Sequence, residues 1–285
     1  MHNPTRSYWR YLVLLVMLMP ACTERSQTPA QRRLQAAGVY FQHEVDGRLV
    51  ATIPFNDGNG GGWEDSDIHN AANDLQQLTN LDAIILDLTQ ISDDAIADIS
   101  RIKSLRTVKL RITSITDKGI TGLSGLSNLN TLELDGSRNI RGSGISALAA
   151  LPVVHLSLRA TSTTDEVAPA IGALKNLEKL DVGMTGIGNK TLSSAARLPQ
   201  IRILHADDTR ITDAGILFLA TASQLEEIGL STNPQLSAPA IRAICRLPSL
   251  RKLDLLGSSI SQEEMSKIQM EFPTVRIWYS PAPSR

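Results

Sequence analysis

The stretch Ile102-Lys103-Ser104-Leu105-Arg106-Thr107-Val108-Lys109-Leu110-Arg111-Ile112-Thr113-Ser114-Ile115-Thr116-Asp117 decides how this chain folds. Its apolar residues stand at the start and three, six and eight positions later, so the step Val108-x-Leu110 alternates as a short strand does. Ile115 comes five positions after Leu110, followed by Thr116 and Asp117, and then by Ile120 and Leu123 at helical spacing. The same frame begins at Leu78, Ile102, Leu126, Leu151, Leu174, Leu198, Ala222 and Leu247, so the body of the chain is eight units of about 24 residues. Thus Leu126, Leu129, Leu132 and Leu134 answer to Leu174, Leu177, Leu180 and Val182, and only the fourth unit is shortened, ahead of Val154, Leu156 and Leu158. A unit this small cannot bury its own leucines, whereas stacked units bury them jointly. The pattern predicts an α/β solenoid of stacked strand, turn and helix units.

Six units place a hydroxyl ahead of the helix: Ser92, Thr116, Thr164, Thr212, Ser237 and Ser261. Each oxygen is expected to accept from free amides of the first helical turn, and the acid that often follows complements the helix dipole. Ser261 with Glu264 predicts a capping box. One carboxylate per rung cannot complete a metal shell, so these acids read as capping residues and not as ligands. A second series, Thr89, Thr113, Ser137, Thr161, Thr185, Thr209 and Ser258, follows the strand and predicts a ladder of hydroxyls that satisfies the backbone of successive turns. The units resemble leucine-rich repeats, specifically the bacterial type reading Leu-x-x-Leu-x-x-Leu-x-Leu-x-x-Thr-x-Ile-Thr-Asp-x-Gly-Leu, and are similar to the repeat domains of F-box proteins. The resemblance covers residues 78 to 271 and implies a horseshoe with a parallel concave sheet and convex helices, and a surface for a protein or peptide partner. Many such repeats carry Asn where this chain has its ladder of hydroxyls.

The ends read differently. Of the chain's aromatic residues only Phe218 lies within the repeats, whereas Tyr40, Phe41, Phe55 and Trp63 precede them and Phe272, Trp278 and Tyr279 follow. Large rings suit the exposed cross-section at each end of an open stack. Gln31 to Gly38 predicts a helix, Val45-Asp46-Gly47 a turn between two strands, and Asp67 to Leu78 a helix entering the first unit. This entry and the closing Phe272-Pro273-Thr274-Val275-Arg276-Ile277 also resemble the flanks of those bacterial proteins. At the N-terminus, Arg6 and Arg10 precede an apolar run from Tyr11 to Met19, too short to span a membrane. Ala21-Cys22 then resembles the lipobox of bacterial lipoproteins, with Met19 where leucine is usual and a less usual Pro20. The resemblance implies that Cys22 becomes an acylated N-terminus; cleavage at a nearby site would instead give a soluble secreted protein. The expected organisation is a signal peptide over 1–21, a tether over 22–30, an N-terminal cap over 31–77, repeats over 78–271 and a C-terminal cap and tail over 272–285.

Lysine and arginine number 28 against 29 acids, a balance that argues against coating nucleic acid or an anionic membrane surface. Two cysteines make neither a disulfide framework nor a four-ligand zinc site, and Cys245 sits among apolar residues at helical spacing as a buried, inert thiol. Residues 57 to 67 are rich in Asp and Gly, yet Gly61 and Ile68 stand where calcium ligands should be, and no Lys follows the glycines as a phosphate loop requires. They read as a connector. No metal, cofactor or catalytic set is expected, since His205 with Asp207 and Asp208 has no nucleophile placed beside it.

Function is expected on the concave strip. Outward strand positions form one column of Ile85, Lys109, Glu133, Ser157, Asp181, His205, Gly229 and Asp254, and a second of Asp87, Arg111, Asp135, Arg159, Gly183, Asp207, Ser231 and Leu256. Lys109 is expected to face Glu133, and Asp135 to lie between Arg111 and Arg159; Asp181, Asp207 and Asp254 read as unpaired acids beside small residues. Neither column contains an aromatic residue. The expectation is a monomeric, membrane-anchored extracytoplasmic scaffold of the cell envelope, facing the periplasm or exterior, that binds a protein or peptide and not nucleic acid. A soluble secreted repeat protein, a structural envelope component and an accessory module of an enzyme complex are the alternatives. An F-box-like adaptor is disfavoured by the export signal.

Overall fold

The computed structural model describes residues 27–55 and 62–281. Cys22 and the signal sequence lie outside the described residues, as do residues 56–61 of the Gly-rich stretch. Among the described residues eleven strands form one sheet in strict sequence order. A hairpin of β1 (Tyr40–His43) and β2 (Leu49–Thr52) opens it. The repeat strands follow as β3 (Leu81–Ile85), β4 (Thr107–Lys109), β5 (Thr131–Glu133), β6 (His155–Ser157), β7 (Lys179–Asp181), β8 (Ile203–His205), β9 (Glu227–Gly229) and β10 (Lys252–Ser258). β11 (Arg276–Pro281) closes the sheet. From β2 onward every pairing is parallel. This is the α/β leucine-rich repeat solenoid that the spacing of Leu and Ile predicts.

The register follows the apolar period. Val108, Leu132, Leu156, Leu180, Leu204 and Ile228 pair in one row, and all are fully buried. Their strand neighbours point the other way and line the concave face. All eight unit-starting residues are buried too, from Leu78 to Leu247. The convex elements are short, for example Asp93–Ile99 and Asp213–Leu219, and the third unit uses a 3-10 helix, Ser143–Leu148. Helices this short are marginal by themselves; burial of Ile96, Ile120, Ile145, Ile171, Leu192 and Ile216 against the stack holds them.

Two features of the turns go beyond the sequence reading. One residue of each unit, three positions beyond its outward residue of the first column, stands in the left-handed region: Leu88, Ile112, Gly136, Ala160, Met184, Asp208, Thr232 and Gly257. Only two of the eight are glycine, so the other six carry steric strain of about 1–2 kcal/mol each, which tertiary packing must offset. The ladder behind them is present, with Thr89, Thr161, Thr185 and Thr209 donating to carbonyls three residues back. Its seventh rung is Asn233, buried, whose amide donates to Ala206 and Leu230 carbonyls while its oxygen accepts from the Thr209 amide. Asn233 therefore occupies the place where many leucine-rich repeats carry Asn.

The helix acids bind across units. Ser92, Thr116, Thr164, Ser237 and Ser261 cap as expected, but Thr212 does not; its hydroxyl accepts from Asn189. Ser261 accepts from the Glu264 amide without the reciprocal bond, because the Glu264 carboxylate is engaged by Arg242 at 2.7 Å. Asp65 reaches forward to the amide and hydroxyl of Ser92, Asp93 to those of Thr116, and Asp213 to those of Ser237. Asp117 and Asp165 accept from the next unit's backbone in the same way. A residue expected to serve its own helix thus joins it to the next one.

At the entry, the helix Pro29–Ala36 starts two residues earlier than expected, with a capping box between Thr28 and Gln31. Trp63, read as part of a connector, is buried in the cap core and donates its indole N–H to the Ala37 carbonyl. The helix after it, Asp65–Gln77, is likewise closed by a box between Glu64 and Asp67. At the exit, Phe272, Ile277 and Tyr279 pack on the core and the Tyr279 hydroxyl donates to the Ile260 carbonyl at 2.5 Å. Among the described residues no helix is long and apolar enough to cross a membrane.

Candidate functional site

Parallel pairing brings outward side chains into rows, and the expected column is present as drawn: Ile85, Lys109, Glu133, Ser157, Asp181, His205, Gly229 and Asp254 are successive partners. β11 extends it, because Asp254 pairs with Trp278. The strip therefore ends on an aromatic ring that faces solvent, one that the sequence columns did not contain. A third column was also missed, since the first residue of each strand points to the same side as the third. It carries Thr107, Thr131, His155, Lys179, Ile203, Glu227, Lys252 and Arg276.

In the first half, Lys109 Nζ meets Glu133 at 3.1 Å as expected. Asp135 is not clamped between two arginines. Arg111 turns back to Asp87 at 2.6 Å, and Arg159 turns forward to Asp207 at 3.0 Å and Asp181 at 3.7 Å. Asp135 is left with the Ser157 hydroxyl as donor, and burial pushes its carboxyl above the usual range, helped by the nearby charges of Asp181 and Glu133. Nor are the later acids unpaired. Asp181 accepts from the Gly183 amide, Asp207 from the Ser231 amide, and Asp254 from the Ser231 hydroxyl and the Leu256 amide. Short loops after each strand aim free amides at these carboxylates, which is why acids recur in this place.

His205 is the hub of the later half. Its Nε2 lies 3.2 Å from Glu227 and its Nδ1 3.7 Å from Asp181, while Lys252 reaches Glu227 from the other side at 2.9 Å. The Asp181 carboxylate first, then Glu227 and the charge of Asp207, hold the imidazole above its ordinary value against the opposing effect of burial. Burial works to raise the Asp181 carboxyl, yet His205, the Gly183 amide and Arg159 together hold it low. His155, half-buried beside Lys179, is pushed the other way by burial and by the lysine's charge. Asp207, the suggested orienter of His205, instead serves Arg159 and the Ser231 amide, and Asp208 forms a left-handed corner. The Cys245 thiol is buried, and burial pushes it up to about 12.

Beside His205 and Asp254 the strip opens into a cavity of about 280 Å³ lined by Gly229, Leu256 and Trp278 among others. The later half of the strip thus presents paired charges and one aromatic-walled opening on the same face of the sheet.

The fold has solved counterparts. The structure resembles internalin C2 of Listeria monocytogenes with a TM-score of 0.56 and 24% sequence identity, covering 73% of this chain and 84% of that protein. Internalin F of the same organism gives a TM-score of 0.51 and 17% identity, covering 83% of this chain and 80% of that one. No family model and no curated protein sequence matches the chain. The likeness is one of fold: an α/β repeat solenoid with helices opposite a long parallel sheet.

Proposed function

We propose that this chain is a non-enzymatic, monomeric protein-interaction scaffold that docks a partner polypeptide on the concave strip of its later units. The observation that supports this most directly is the continuous row from Asp181 through His205 and Gly229 to Asp254 and Trp278, in which charged and aromatic side chains share one solvent-facing surface. Charges so arranged steer encounter and select partners while contributing little net stability. Export and anchoring rest on the sequence: the apolar run and Ala21-Cys22 support a lipid-bearing Cys22 that tethers cap, repeats and closing strand to the envelope, facing the periplasm or exterior.

Photo-crosslinking side chains placed at Lys179 or Glu227 on the concave face should capture the partner in envelope extracts, and the same group at convex Lys190 should not. Capture from Lys190 alone would sink the docking reading. In parallel, Cys22→Ser protein should leave the membrane fraction, and the wild-type peptide beginning at Cys22 should carry added lipid mass. Equal membrane retention of both forms would favour anchoring by the leader itself, and a soluble wild type would favour conventional secretion.

A further inference from the structure

We propose that the cavity at the C-terminal end of the concave strip takes an arginine side chain of the partner, with its guanidinium set against Trp278 and held by Asp254. This subsite rests on the docking reading above and deepens it. Gly229 lines the opening without a side chain and lets His205 and Asp207 approach closely: a Cβ there would meet His205 Cδ2 at 3.0 Å and Asp207 Oδ1 at 3.1 Å. At about 280 Å³ it falls just below the roughly 300–1,000 Å³ typical of whole-ligand pockets, so it suits one inserted side chain. Its exposed apolar walls are Leu256 and Trp278, 44% and 36% exposed.

The charges select the occupant. Glu227 is shared by Lys252 and His205, and Asp207 by Arg159 and the Ser231 amide. Asp254 differs. Both of its internal donors, the Ser231 hydroxyl and the Leu256 amide, address Oδ1, so Oδ2 receives no hydrogen bond and no described cation pairs with the group. Trp278 already carries a guanidinium: Arg276 lies 4.6 Å from its ring centre. Arg276 does not line the cavity, so the part of the indole that does is left to an incoming group. A planar guanidinium can stack on that surface and turn an N–H edge to Asp254 Oδ2, whereas a lysine ammonium is a strongly hydrated point charge that gains less from the ring.

The test uses the full chain labelled with ¹⁵N in its indoles, the Trp278 signal being assigned with Trp278→Phe. Acetyl-Gly-Arg-Gly-amide should shift that signal saturably, and the citrulline peptide, a neutral isostere, should bind at least about tenfold more weakly. Asp254→Asn keeps the Oδ1 acceptor and should cost a similar factor. Absence of a saturable shift, equal binding by the citrulline or lysine peptide, or indifference to Asp254→Asn would each overturn the assignment. Concave crosslinks without a peptide response would overturn this subsite alone; a peptide response with convex crosslinks only would overturn the docking reading instead.

Discussion

His205 shows what one residue contributes when three columns converge on it. Asp181 and Glu227 flank its ring from the strands on either side, and Asp207 lies on its own chain with Arg159 beyond. Because its folded value is raised above the ordinary 6.5, it contributes stability that is present below that value and lost as pH rises through the folded one. Asp181 and Glu227 are held low, so their contribution is present at neutral pH and lost on acidification. His155, whose value is lowered by burial, acts on the other side of 6.5: its cost is present at low pH and is gone once pH rises above the ordinary value. The difference in melting temperature between wild type and His205→Gln isolates the effect: it should shrink from about pH 6 to about pH 9. A difference that stayed constant or grew across that range would mean that His205 is not held charged by its neighbours.

At the scale of the element, the acid that opens a convex helix is the link to the next one. Asp213 accepts the Ser237 amide at 2.9 Å and the Ser237 hydroxyl at 2.6 Å. As a local dipole partner its loss would cost about 1 kcal/mol or less; as an inter-unit acceptor it leaves two half-buried donors without a partner, about 1–3 kcal/mol. Asp213→Ala should therefore fall in the upper range, and a double-mutant cycle with Ser237→Ala should show coupling of about 0.5 kcal/mol or more in chemical denaturation. Strict additivity would return Asp213 to the role of local cap. The contrast explains what the sequence could reveal. Leu-x-Leu and Ile-Thr-Asp are local patterns with a fixed period, so strands, helices and the concave columns could be read from them. The direction in which a side chain turns is not local: Arg111 and Arg159 occupy equivalent places two units apart, yet one donates its hydrogen bonds backward to Asp87 and the other forward to Asp207. Trp278 was assigned to the cap because β11 lacks the repeat motif, although its register continues the column. The left-handed corners escaped notice because only Gly136 and Gly257 of the eight advertise them.

For the whole molecule, the sheet order decides how stability is distributed. Every repeat strand pairs only with its sequence neighbours, so the stack behaves as a line of units joined by nearest-neighbour interfaces. The two ends are closed by different devices, an antiparallel hairpin with buried Trp63 at one and the half-buried Ile277 and Tyr279 of β11 at the other. Opening β11 breaks one interface, whereas opening a central strand breaks two. Leu132→Ala removes a fully buried side chain from the middle of the stack and should cost about 2–5 kcal/mol, lowering the transition of the entire repeat array. Ile277→Ala should act chiefly at the end, raising amide hydrogen exchange over residues 252–281 while residues 107–133 keep their protection. Because Trp278 and Asp254 lie in the frayed segment, the same substitution should weaken any arginine response of the concave cavity before it moves the main melting transition. Equal loss of protection at both ends of the chain would show that the solenoid opens as one cooperative block, and that the cavity shares the stability of the whole array.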